Sequence, residues 1–140
     1  MKILVPVDGS PFTKRMLAYL AAHDEWLGEA HSYTLAYVAP AVPARAASVI
    51  DKELLKGYYA EEADKVFKPI RSFFAKQKIK ADFVGKVGHA ADVIVDLAAK
   101  GKYDLLMMGS HGHGVLGNLV LGSVTTKVIS RSEVPVLIIR

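Results

Sequence analysis

Cysteine is missing from this 140-residue chain, which excludes disulfides, thiolate nucleophiles and cysteine-ligated zinc together. No apolar run reaches the roughly 20 residues that a helix needs to cross a bilayer, so no membrane is expected. The opening apolar run is short and ends on Asp8, too little for a secretory leader, and the expected compartment is the cytoplasm. Strong charge bias is absent too: the net charge is +4. Lys52, Lys56, Lys65, Lys68, Arg71, Lys76, Lys78 and Lys80 alternate with Asp51, Glu53, Glu61, Glu62 and Asp64. Such a diffuse basic footprint reads as the solvated face of a long helix, not as a nucleic-acid surface. Two catalytic signatures are missing as well. No G-x-x-x-x-G-K-[ST] phosphate loop is present, and no G-x-S-x-G serine elbow.

What the chain does have is a core and a conspicuous glycine-rich stretch. Hydrophobic residues make up 51% of it, enough for one domain over residues 1–140. The stretch Met108 to Thr125 reads MGSHGHGVLGNLVLGSVT and holds Gly109, Gly112, Gly114, Gly117 and Gly122. It follows the apolar run Leu105 to Met108, which reads as a buried strand, and ends on Ser123, a good helix N-cap. Strand, glycine loop and helix start in that order favour an anion, because free backbone amides converge on it. Gly112-x-Gly114-x-x-Gly117 matches the dinucleotide fingerprint, with Glu133 downstream. That fingerprint belongs to the first strand–helix turn of its fold, and here one strand's worth of chain remains after the loop.

The rest alternates regularly. Lys2 to Val7 reads as a strand, followed by the turn Asp8-Gly9-Ser10 and a helix from Pro11 to Leu27, with Met16, Leu17, Leu20 and Ala21 at helical spacing. His31 to Val38 reads as a second strand and Ala39 to Ala47 as a loop. Ser48 to Lys78 reads as a long helix that Gly57 and Pro69 should bend or interrupt. Ile79 to Val87 is a third strand, Ala90 to Lys100 a helix with Asp92 and Asp96 on its solvated face, and Tyr103 to Met108 a fourth strand. A helix over Val124 to Ser130 and a last strand at Pro135 to Ile139 complete the order. Apolar strands separated by helices predict an α/β fold with a parallel sheet covered on both faces. Asp8, at the end of the first strand, reads either as a turn acceptor for backbone amides or as a ligand contact.

The spacing Gly109-x2-Gly112-x9-Gly122-Ser123 resembles the nucleotide-binding motif of ATP-binding universal stress proteins. Ile3-Leu4-Val5-Pro6-Val7-Asp8-Gly9-Ser10 and Pro135-Val136-Leu137-Ile138-Ile139 are similar to that family's opening and closing strands. The resemblance implies an open, doubly wound, Rossmann-like five-stranded parallel sheet of order 3-2-1-4-5, which sets the ends of strands one and four side by side. It also implies an adenine nucleotide across those ends: ATP, with ADP or AMP as alternatives and Mg²⁺ as a companion. Pro6, Val7, Asp8 and Val38 would line the adenosine side, with Met108 packed nearby. Amides around Gly112, Gly122 and Ser123, with the Ser123 hydroxyl, would hold phosphates, and Gly109 and Gly112 would let the backbone approach closely. Val124 and Thr125 continue the helix start on the phosphate side. The motif assigns nothing to His111 and His113, and two histidines make a poor metal site on their own. Relatives in the family commonly pair through the last strand, so a homodimer is expected. The function implied is a regulatory stress-response module. A slow ATP hydrolase or ATP-dependent transferase using the same pocket is the alternative, and a member that has lost nucleotide binding is a third reading.

Overall fold

A computed structural model describes residues 1–113, 118 and 120–140. Gly114 and Gly117, two of the loop glycines, lie outside the described residues. Strands β1 (Lys2–Pro6), β2 (Ser32–Ala39), β3 (Ala81–Val87), β4 (Leu105–Gly109) and β5 (Val136–Ile139) form one sheet of order β3-β2-β1-β4-β5. All four pairings are parallel. Helices α1 (Pro11–Ala22), α2 (Ala44–Ala47), α3 (Lys52–Lys76), α4 (Ala90–Lys100) and α5 (Ser123–Arg131) connect the strands. The order expected from the family resemblance is the order observed.

The central strands β1 and β4 carry the unbroken apolar runs Ile3 to Pro6 and Leu105 to Met108 because both of their faces are covered. Along β1, Ile3 and Val5 join one core cluster with Met16 and Leu20 of α1 and Phe67, Ile70 and Phe74 of α3. Leu4, between them, points to the opposite cluster with Ala91, Ile94 and Ala98 of α4 and Val128 of α5. Strand β4 divides in the same way: Met107 faces the first cluster, and Leu106 and Met108 the second. This alternation is the period-two geometry of a strand. Sequence order therefore puts α1 and α3 on one face and α4 and α5 on the other, leaving the crevice between the ends of β1 and β4 uncovered.

Several boundaries differ from those read in the sequence. Helix α1 stops at Ala22, well before Leu27, because His23 turns extended and a 3₁₀ turn, Asp24–Trp26, follows. That turn serves the core: the buried Tyr33 hydroxyl donates to the Trp26 carbonyl, and burial pushes the Tyr33 phenol up to about 12. The stretch read as a loop contains the single turn α2 after Pro43. Helix α3 begins at Lys52, not Ser48, because the Asp51 carboxylate caps it, accepting from the amides of Glu53 at 2.8 Å and Leu54 at 3.2 Å. It then continues through Gly57 and Pro69 to Lys76 without interruption. Pro69 and Lys65, the residue whose carbonyl it leaves without a donor, are both exposed, so the helix tolerates the proline on its solvent side. Strands β3 and β4 start two residues later than expected, at Ala81 and Leu105. Among the described residues no helix is long and apolar enough to cross a membrane.

Candidate functional site

The crevice where β1 and β4 end is a cleft of about 240 Å³. All eleven residues assigned to nucleotide binding in the sequence border it. One wall is the end of β1 and β2: Pro6, Val7, Asp8 and Val38. The other is the end of β4 and the loop after it: Met108, Gly109 and Gly112. Gly122, Ser123, Val124 and Thr125 close the cleft at the start of α5. Residues that sequence reasoning did not assign also border it, namely Thr13, Ala36, Ala90, Ile94, His111 and His113. Ala90 and Ile94 lie one turn apart on α4, so their spacing shows a buried face but not that the face reaches the cleft.

Asp8 performs the turn role with one oxygen and leaves the other for the cleft. Its Oδ1 accepts from the Ser10 amide at 2.9 Å and the Thr13 hydroxyl at 3.1 Å. Its Oδ2 has no hydrogen-bond partner among the described residues and lies against Gly112, where an added Cβ would come within 2.4 Å of it. Glycine at position 112 is thus required by the carboxylate across the cleft. The field of Asp8 also reaches the nearby Tyr37, whose phenol is raised first by burial and then by Glu62, Tyr58 and Asp8.

The glycine loop is tied at its neck. The Gly122 amide donates to the Ser110 carbonyl at 2.8 Å, and the Ser110 amide donates to the Ile139 carbonyl at 2.9 Å. A Cβ on Gly122 would lie 3.1 Å from the His111 Cα. The Thr125 hydroxyl, buried, donates to the Gly109 carbonyl at 3.1 Å and fastens α5 to the end of β4. Gly109 itself is held close by α1, since a Cβ there would meet the Phe12 Cβ at 2.9 Å. Two sequence assignments change as a result. The Gly122 amide is already bonded inside the protein, so it is not a free phosphate donor here. The N-cap of α5 is Gly122, not Ser123, and no side chain caps the helix. Ser123 is the first helical residue, and the amides of Ser123, Val124 and Thr125 open the helix toward the cleft, as an anion site requires.

The two histidines are drawn into the cleft wall. His111 Nδ1 lies 2.9 Å from the Ser110 hydroxyl, and its ring packs 4.9 Å from that of Phe12. His113 Nε2 donates to the Asp8 carbonyl at 2.8 Å in the tautomer that protonates that nitrogen. Among the described residues no group of three or more His, Cys, Asp or Glu side chains is placed to hold a metal ion. Among the described residues that line the cleft there is no lysine or arginine. Arg131 pairs with Asp92 across α4 and α5.

The universal stress protein family model matches residues 1–140. The universal stress protein MJ0531 of Methanocaldococcus jannaschii is 30% identical over 142 residues, covering 99% of this chain and 81% of its own. The solved structure of MJ0577, a universal stress protein of the same organism, superposes with a TM-score of 0.84 at 30% identity, covering 99% of this chain and 94% of that one. Two more distant structures share the fold and carry nucleotides. An Arabidopsis thaliana family protein with AMP bound has a TM-score of 0.71 at 16% identity, over 99% of this chain and 90% of that one. The Archaeoglobus fulgidus universal stress protein in complex with dAMP has a TM-score of 0.69 at 21% identity, over 100% of this chain and 98% of that one. With its motif, strand order and full-length match in agreement, this chain belongs to the universal stress protein family.

Proposed function

We propose that the chain is an adenine-nucleotide-binding regulatory module whose cleft holds ATP, with ADP or AMP as alternatives. The observation that carries this reading is the pairing of two features on facing walls. The uncapped start of α5 offers amides to phosphate oxygens, and the Asp8 Oδ2 offers an acceptor to a sugar hydroxyl or base amine. The apolar positions Val7, Val38 and Met108 lie between them and suit the face of a base. The AMP and dAMP held by distant relatives support the same class of ligand. Calorimetric titration with ATP, ADP and AMP, with and without Mg²⁺, tests the proposal, alongside mass spectrometry of any nucleotide that copurifies. Failure of the wild type to bind all three would overturn it. Asp8→Ala is expected to weaken ATP about tenfold, the scale of one hydrogen bond to a charged group, with the phosphate contacts retained.

A homodimer through β5 is part of the same proposal. Strand β5 is an edge of the sheet, and its bonds to β4 run through the carbonyls of Pro135 and Ile139. By strand periodicity the Val136 and Ile138 backbones then point outward, toward a second copy. The side chains of Val136 and Ile138 already pack against the α4–α5 cluster, so backbone pairing is the better target for a test. Ile138→Pro removes one outward amide and leaves the bonds to β4 in place. Light scattering at micromolar concentration is expected to give about twice the 15.2 kDa of one chain for the wild type and a monomer for the variant. A monomeric wild type would refute the dimer.

A further inference from the structure

We infer that Thr13 is the positioning residue that turns Asp8 into a single-acceptor selector for one donor group of the ligand, an inference that rests on the nucleotide reading above. Thr13 is the third residue of α1 and only 7% exposed. Its hydroxyl does two things at once. It accepts from the Asp8 amide at 3.2 Å and donates to Asp8 Oδ1 at 3.1 Å. Both directions are fixed by the partners, because an amide can only donate and an ionised carboxylate can only accept. The Ser10 amide also donates to Oδ1, at 2.9 Å, and His113 Nε2 donates to the Asp8 carbonyl at 2.8 Å.

Every polar group of Asp8 except Oδ2 is therefore engaged, and the carboxylate cannot turn without breaking bonds at Oδ1. A carboxylate free to rotate offers two oxygens over a wide arc and discriminates poorly. Held in this way, Asp8 presents one oxygen in one direction, beside Gly112. Because an ionised carboxylate only accepts, that oxygen rewards a hydroxyl or amine and leaves an analogue without it unpaired. Preorganisation of this kind raises affinity for a ligand that carries the donor and leaves one that lacks it unrewarded, so it is read as selectivity.

The test is a selectivity measurement by calorimetry on the full chain. ATP is compared with 2′-deoxy-ATP, 3′-deoxy-ATP and purine riboside triphosphate, each lacking one donor. The wild type is expected to bind one of these analogues roughly ten- to a hundredfold more weakly than ATP, the scale of a hydrogen bond to a charged group. Thr13→Val is expected to shrink that ratio to about threefold or less, and Thr13→Ser, which keeps the hydroxyl, to preserve it. Asp8→Ala removes the same ratio, and adding Thr13→Val to it is expected to change nothing further. Thr13→Ala carries the same comparison if circular dichroism shows that the valine variant does not fold. A Thr13 variant without a hydroxyl that keeps the full ratio would reduce Thr13 to a packing residue and overturn the inference. So would a wild type that binds ATP and all three analogues equally. A wild type that binds no nucleotide at all would instead refute the nucleotide reading on which the inference rests.

Discussion

Replacing Gly122 by valine is expected to lower ATP affinity more than about a hundredfold, with circular dichroism little changed and the thermal midpoint lowered by several degrees. The cause lies in the neck of the loop. A Cβ at position 122 would already press on the His111 Cα at 3.1 Å and lie 3.5 Å from the Ser110 carbonyl oxygen. The branched carbons of valine would push the two strands of the neck apart and break the 2.8 Å bond from the Gly122 amide to Ser110. The start of α5 would then move relative to the wall that carries Asp8. Overpacking of this kind costs about 1–3 kcal/mol, and each charge-assisted bond lost to phosphate another 1.5–3 kcal/mol or so. The loss of two such phosphate bonds reaches about 3 kcal/mol, which at tenfold per roughly 1.4 kcal/mol exceeds two orders of magnitude. Among the described residues neither core cluster contains one from the stretch between Gly109 and Gly122, so the fold should survive. Calorimetry of a folded Gly122→Val protein that still binds ATP within about threefold of wild type would show that the neck does not position the phosphate contacts.

Much of this architecture was legible because its strands are buried on both faces. Ile3-Leu4-Val5 and Leu105 to Met108 read as unbroken apolar runs for that reason. The strand order was not legible from patterning at all and came with the family resemblance. Helix ends were misread where a local bond decides them. Asp51 was counted among the charges of a solvated face, yet its side chain begins α3. Ser123 had the right chemistry for a cap, but the chain enters the helix one residue earlier, and the backbone of Gly122 takes the cap position. Thr13, Ala90 and Ile94 could not be assigned to the cleft because they reach it only through helix docking, which no spacing along the chain encodes. Asp8 is the instructive case. A turn acceptor and a ligand contact seemed to compete for one carboxylate, and the structure gives the turn one oxygen and leaves the second beside Gly112.

Bound ATP is expected to persist, with hydrolysis at about 10⁻³ s⁻¹ or slower, in the range of a phosphate site that lacks its arginine. Typical enzymes turn over at about 1–10³ s⁻¹. Fast phosphoryl transfer to water needs an in-line nucleophile and neutralisation of charge that spreads over the phosphoryl oxygens. The described lining of this cleft contains neither lysine nor arginine. Arg131 is paired with Asp92 across α4 and α5, and Arg15 sits over the Phe12 ring at 5.0 Å. Amides at the start of α5 stabilise bound phosphate in the ground state as much as in the transition state, which favours binding without accelerating the reaction. His111 and His113 are both candidate bases in the loop, and Ser110, not a carboxylate, is the neighbour at Nδ1 of His111. Replacement of His111 by alanine is therefore expected to change the hydrolysis rate by less than about threefold, below the roughly 10²-fold that a working general base contributes. Single-turnover release of phosphate from a preformed complex with Mg²⁺ measures both quantities. A rate near one per second, abolished by His111→Ala while ATP still binds, would make the chain an enzyme. A persistent complex leaves a switch whose signal is occupancy itself, read out through whatever surface the nucleotide holds in place.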